Sequence, residues 1–361
     1  MVVARTLTLS IDQLYRRQPG GIATYVSGLV LGLRQVDHDL DVRALAPRGA
    51  VPPEARDLSL SLVTAPLRVE PLTRIWRYRP VGVPRQSNIV HATSMAGPYG
   101  GGAPGAVHSV AMHDLLWRDE PGASTPRGAR FHEDRLQFLK RRDDLRIFTS
   151  SPGLRERLIA DGFDEARVHA VRLGVDDDGV EAASALEVRD LLTRRGVTGP
   201  FTLYVGTREP RKNLARLIEA HREARAGAPD LGPLVLVGPA GWGGVDTADA
   251  TVLGAVARNV LKGLYREATL VAYVARAEGW GLPPVEALYA GTRVVASTTT
   301  PSVANNPEVV CVDPLDVASI ANGLVRALAT PDNEASAAQR RDSVASLTWA
   351  NSALDHLVGW R

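Results

Sequence analysis

Short aliphatic runs alternate along this chain with stretches in which apolar residues recur at helical spacing, the pattern of parallel strands joined by crossover helices. The runs predict strands at Leu40–Ala46, Asn88–His91, Val107–Met112, Arg146–Ser150, Phe201–Val205, Leu234–Val237, Leu270–Tyr273 and Val294–Ser297, with a first strand in the alternating segment Thr6–Ser10. Between them the helical period predicts helices at Ile22–Arg34, Arg130–Arg141, Pro152–Asp161, Asn213–Arg225 and Pro283–Ala290. The class is α/β, with two Rossmann-like doubly wound domains. The pattern breaks at Asp176–Gly179 and resets at Gly196–Pro200, so one sheet is expected before the break and one after.

Length agrees, because 361 residues exceed one ordinary domain. A net charge of +2 on 42 basic and 40 acidic residues gives no electrostatic case for nucleic acid. One cysteine, Cys311, excludes an intramolecular disulfide framework and a multi-cysteine metal site, and it fits a reducing compartment. No apolar run reaches the length of a membrane span and no signal segment opens the chain, so a cytoplasmic protein is expected, with peripheral contact at the inner membrane face left open. The acidic run Asp176–Asp178 reads as a solvated linker; it lacks the spaced ligands of a calcium loop.

Candidate chemistry lies where strands hand over to helices, since open α/β sheets bind ligands at the carboxyl ends of their strands. Gly20-Gly21-Ile22 opens a helix carrying Ile22, Val26, Leu29, Val30 and Leu33 on one face; it serves either a tight turn or an anion at a helix amino terminus. Gly206-Thr207-Arg208-Glu209-Pro210-Arg211-Lys212-Asn213 places adjacent cations before a helix, with Asn213 as its predicted N-cap; a diphosphate and a solvated turn both fit. Gly238 begins a glycine-rich loop around Trp242 that reads as a cover for a nucleotide base or as a surface turn. Glu278-Gly279-Trp280-Gly281-Leu282-Pro283-Pro284-Val285-Glu286 is the most specific segment: glycines for an unusual backbone path, prolines for a first helical turn, and two carboxylates suited to sugar hydroxyls.

With these segments in this order, the chain resembles the retaining glycosyltransferases of family 4, also called group 1, many of them mannosyltransferases. Val90-His91-Ala92, His113-Asp114-Leu115 and Thr125-Pro126-Arg127-Gly128 extend the resemblance through the amino-terminal half. It implies the GT-B fold, with two domains facing a cleft: residues 1–178 for the acceptor, joined by a final helix within 345–361, and residues 179–344 for the nucleotide sugar. By the same resemblance His113, Glu278 and Lys212 are catalytic, His113 lying beside the donor sugar and Lys212 neutralising the diphosphate. Glu286 holds the ribose, and Glu278 with the amides of Gly279, Trp280, Gly281 and Leu282 faces the transferred sugar. Gly21, Gly206, Thr207, Arg208, Arg211 and Gly238 complete the donor site. His91 is open between a structural and a site role.

The chain departs from the family where Thr207 replaces a common arginine, leaving Arg208 or Arg211 for the diphosphate, and where Val274-Ala275 replaces a Pro-Ser pair. The resemblance implies hexosyl transfer from a nucleoside-diphosphate sugar, GDP-mannose first, with no metal or further cofactor. The acceptor is a hydroxyl on a glycan, a lipid-linked sugar or a small natural product. An epimerase or phosphorylase of the same fold, or a non-catalytic nucleotide-sugar-binding subunit, are the alternative readings. Thr73–Arg79, which mixes cations and aromatics, is either an anionic-acceptor or headgroup contact or a solvated helix face.

Overall fold

The computed structural model describes residues 5–16, 20–175 and 178–361. The chain forms two compact units, one from the residues up to Trp117 with Thr125–Gly174 and Leu347–Arg361, the other from Arg118–Ser124 with Val175–Ser346.

Among the described residues the first unit holds a parallel sheet of β1 (Arg5–Ser10), β2 (Leu40–Ala46), β3 (Ser61–Thr64), β4 (Ile89–Ala92), β5 (Val107–Met112), β6 (Leu145–Thr149) and β7 (Val168–Ala170). The strand order is β3-β2-β1-β4-β5-β6-β7. The second unit repeats the scheme with β8 (Thr202–Val205), β9 (Leu234–Val237), β10 (Ala250–Gly254), β11 (Leu270–Tyr273), β12 (Val294–Ser297) and β13 (Val309–Val312), ordered β10-β9-β8-β11-β12-β13. All pairings are parallel. Helices cover both faces of such sheets, which is why a central strand such as Leu-Val-Leu-Val in β9 is buried along its whole length. In each sheet the order reverses between two neighbours, β1 and β4 in the first, β8 and β11 in the second. Those reversals open a crevice at the strand ends, the usual place for a ligand in this architecture.

The helix Trp349–Gly359 belongs to the first unit and packs on the helix Gly20–Gln35. The approach is too close for side chains: a Cβ on Gly28 would stand 2.1 Å from the Trp349 indole and one on Gly32 1.9 Å from the Trp349 carbonyl. The fold also corrects two local readings. Asn213 precedes the helix Leu214–Gly227, but in a left-handed conformation (φ 61°) and without a capping bond; its Nδ2 donates instead to the carbonyls of Val274 (3.0 Å) and Pro314 (2.6 Å). Asp176 and Asp177 lie outside the described residues, and Asp178 is no free linker residue, because its carboxylate takes bonds from Lys262 and from Arg258 (2.9 Å).

Candidate functional site

The reversal point of the second sheet carries the chemistry predicted from the sequence. The loop after β8 starts at Gly206 and runs into a short 3-10 turn, Pro210–Lys212; the loop after β11 leads through Glu278 to the helix Leu282–Ala290. Lys212, Arg211 and Glu278 thereby meet although some 66 positions separate them in sequence. One carboxylate oxygen, Glu278 Oε1, accepts from Lys212 Nζ, from Arg211 (2.6 Å) and from the Tyr273 hydroxyl (2.9 Å), while Lys212 also donates to Tyr273 (2.5 Å). Arg211 reaches Glu209 as well, at 2.6 Å.

Lys212 is buried, so the solvated-turn reading of this segment does not hold for it. Burial pushes the lysine pKa down against the pull of the Glu278 charge. Burial would raise the Glu278 carboxyl, but the cations Lys212 and Arg211 outweigh it and hold the group below the usual carboxylate range. The two belong to a cluster of two basic and two acidic side chains, completed by Arg211 and Glu209. Arg208 differs: its guanidinium bonds only weakly to the Gly238 carbonyl (3.4 Å) and is in no ion pair among the described residues.

The loop glycines are structural requirements at two places. A Cβ on Gly238 (φ 131°) would lie 2.2 Å from the Gly206 carbonyl, so the loops after β8 and β9 touch backbone to backbone. Gly281 is left-handed (φ 94°), and a Cβ there would strike Thr300 at 2.6 Å. After it Pro283 and Pro284 remove two of the four free amides of a helix start, leaving those of Gly281 and Leu282. Trp280 is buried with its indole N–H unpartnered among the described residues, and Thr207 gives its carbonyl to Tyr204 (3.1 Å).

Glu286 is on the helix Leu282–Ala290, which follows the Glu278 loop. It lines a cavity of about 660 Å³ and spends both oxygens, Oε1 on Arg258 (2.8 Å) and Oε2 on the Tyr265 hydroxyl (2.8 Å). Neither Lys212 nor Glu278 lines that cavity. Tyr265, Tyr273 and Arg258 were invisible to motif reading: Tyr273 ends a predicted strand, and no element was predicted over Tyr265 and Arg258.

In the first unit His113 follows β5. Its Nε2 donates to the Thr93 carbonyl (2.9 Å), which leaves Nδ1 with its lone pair, and its ring packs edge-on to Tyr25 at 4.9 Å. Burial lowers its pKa, with the Thr93 carbonyl and Asp114 opposing. Gly20 requires its glycine (φ +64°), and a Cβ on Gly21 would meet nothing within 4 Å. His91 resolves as structural, fully buried in a directed chain. His356 Nδ1 donates to the Ser352 carbonyl (2.7 Å), so its Nε2 accepts from the Tyr25 hydroxyl (2.8 Å). That hydroxyl in turn accepts from His91 Nε2 (2.8 Å), and His91 Nδ1 accepts from Ser109 (2.8 Å), itself the acceptor of the Trp360 indole N–H (2.9 Å).

Comparison with known proteins follows this division. A family model described as "Glycosyl transferase 4-like domain" matches residues 20–174, and one described as "Glycosyl transferases group 1" matches residues 199–330. The chain belongs to the group 1 glycosyltransferase family. An O-antigen chain mannosyltransferase B of Escherichia coli is 34% identical over 140 residues, which is 36% of this chain and 36% of that one. The chain thus aligns with about a third of that relative's length. Among solved structures, a sucrose-phosphate synthase from Thermosynechococcus elongatus has TM-score 0.70 at 18% identity, covering 98% of both chains. Anabaena HepE, in complex with UDP and glucose, has TM-score 0.70 at 16% identity over the same share of each chain. WaaG, a glycosyltransferase involved in lipopolysaccharide biosynthesis, reaches 0.66 at 15% identity, again over 98% of both. These likenesses carry the fold, GT-B. No helix among the described residues is long and apolar enough to cross a membrane.

Proposed function

We propose that this group 1 family member is a retaining glycosyltransferase that moves a hexosyl group from a nucleoside-diphosphate sugar to an acceptor hydroxyl without a metal, with GDP-mannose as the first donor to test. The observation that carries the reading is the Lys212–Arg211–Glu278 cluster at the reversal point of the second sheet, beside the uncommitted Arg208. The mannosyltransferase relative supports the choice of donor sugar, and HepE with UDP and glucose supports a nucleotide-sugar ligand for the fold.

In this reading the bond from the anomeric carbon to the phosphate oxygen breaks, and the acceptor oxygen takes its place on the same face of the sugar. The acceptor proton passes to a phosphate oxygen of the departing diphosphate. Arg208 and Lys212 stabilise the charge that develops there, Lys212 trading part of its bond to Glu278 for the phosphate. Glu278, with the amides of Gly281 and Leu282, faces the transferred sugar. Glu286 takes the ribose hydroxyls on lone pairs that Arg258 and Tyr265 leave open, those two holding the carboxylate in place.

Calorimetry with GDP, UDP, dTDP and ADP in metal-free buffer tests this, followed by product analysis with the sugar of whichever base binds. Selective binding, weakened at least tenfold in Arg208→Ala and Lys212→Ala, is the expected result. Absence of binding by all four diphosphates would overturn the reading.

A further inference from the structure

The first sheet has a reversal point too, between β1 and β4, and a cavity of about 540 Å³ opens there, within the usual size for a small-molecule site. All its lining residues belong to the first unit. Its most unusual feature is three arginines from three separate elements: Arg16 after β1, Arg74 on the helix Val69–Ile75, and Arg127 at the start of the helix Pro126–Lys140. Other arginines of the same unit are matched with acids, as Arg142 is with Asp144 (2.6 Å) and Arg155 with Glu165 (2.7 Å). Among the described residues Arg16, Arg74 and Arg127 take part in no ion pair, and Arg16 Nε is buried without a hydrogen-bond partner.

Acids near the cavity offset this charge only in part, two lining carboxylates against three guanidiniums. Glu70 and Asp114 line it, and Asp114 is engaged by the Leu116 amide (3.1 Å). Asp12 lies close enough to feel Arg16, and burial raises its pKa. Two further groups await partners: His132 Nδ1 is buried and unbonded among the described residues, and His113 presents an Nδ1 lone pair because Nε2 is spent on Thr93. Three guanidiniums suit a group with three terminal oxygens better than a carboxylate with two, since each can offer paired donors. A lone pair on His113 is what a hydroxyl donor would meet.

We propose that this cavity binds the acceptor and that the acceptor is a phosphorylated sugar, its phosphate held by Arg16, Arg74 and Arg127 and a hydroxyl directed at His113. The proposal rests on the transfer reading above and names the class of its second substrate. The phosphate belongs either to a soluble sugar phosphate or to a sugar phosphate carried on a lipid headgroup.

The full chain is titrated with glucose 6-phosphate, mannose 6-phosphate and mannose 1-phosphate, and with the parent hexoses, while saturated with whichever nucleoside diphosphate binds the second unit. In parallel it is sedimented with phosphatidylcholine vesicles with and without phosphatidylinositol 4-phosphate, whose headgroup carries a phosphomonoester. Both Arg74 and Arg127 are exposed, so Arg74→Gln/Arg127→Gln is expected to fold with an unchanged melting temperature. The expected result is at least tenfold tighter binding of a hexose phosphate than of its hexose, lost tenfold or more in the double variant. Binding only to the vesicles with phosphatidylinositol 4-phosphate, lost in the same variant, supports the proposal and assigns the phosphate to a lipid. Equal binding of hexose and hexose phosphate, binding indifferent to the double variant, or no binding to either source overturns it. Failure of every nucleoside diphosphate to bind would fall on the transfer reading instead.

Discussion

Each unit buries polar groups beside the reversal point of its sheet, but by opposite means. In the first, Trp360, Ser109, His91, Tyr25 and His356 form a neutral chain in which every proton has one direction and every acceptor is filled. In the second, the buried Lys212 and the half-buried Arg211 converge on a single oxygen of the half-buried Glu278. A filled neutral chain has nothing to offer a ligand, so it acts as a fastener. A cluster of charges holds cations that an incoming anion can recruit, at the cost of desolvation borne by the fold. Buried polar groups therefore divide into structure and site by whether their bonding capacity is already used.

Lys212→Ala should break the contrast most strongly. It strips Glu278 of one charged partner and removes a cation from the proposed leaving group, so transfer should fall about 100- to 1,000-fold, the range for losing one electrostatic stabiliser. Steady-state transfer assays check it, with a melting curve to separate folding from function. Tyr25→Phe attacks the other side. It leaves His91 Nε2–H and His356 Nε2 without partners inside the first unit, and a loss of about 2–3 kcal/mol is expected in denaturant unfolding, with nucleotide binding by folded protein unchanged.

Acid separates the units by window. Burial pushes the His356 pKa down to about 4 from an ordinary 6.5. The folded state thus binds fewer protons there, and this stability is full above pH 6.5 and drains away as the pH falls toward 4, by about 2 kcal/mol at pH 5. His91, His113, His132 and His169 shift the same way by burial, all in the first unit, whereas the second has His221 alone, also near 4. Glu278 contributes stability of the same sign in a more acid window, present above its ordinary pKa of 4.5 and lost only below it. Hydrogen exchange at pH 5 should therefore loosen β4 and β5 before β8 and β11; simultaneous loosening would contradict this. The smallest effect is expected from Tyr273→Phe, which removes one of three donors to Glu278 Oε1 for about 1 kcal/mol and raises the Glu278 pKa, readable by carboxylate NMR.

The fold's legibility in the sequence follows burial. Every central strand was readable from its apolar pattern, β1 from alternation and the others from aliphatic runs, while β3, β7, β10 and β13 were not among the predicted strands. Those four are the edges of the two sheets, and edge strands such as β3, exposed at three of its four positions, lack the uniform apolar run that marks a strand covered on both faces. At the site, segments carrying Lys212, Glu278 and Glu286 announced themselves by glycine and proline punctuation. Their partners did not, because Tyr273, Tyr265 and Arg258 act through contacts across the sheet that no local spacing records. The same limit hid the histidine chain: Tyr25 and His356 are 331 positions apart.

That separation orders events during synthesis. The second unit is nearly contiguous and is translated by Ser346, whereas the first needs Trp349 against Gly28 and Gly32, and His356 and Trp360 for its buried chain. A ribosome therefore releases the residues that finish the amino-terminal unit after those of the second unit. Until then the helix Gly20–Gln35 exposes the notch that Trp349 fills, so the unit begun first is the one completed last, and a stop codon before Trp349 would leave the later-born unit as the better folded of the two.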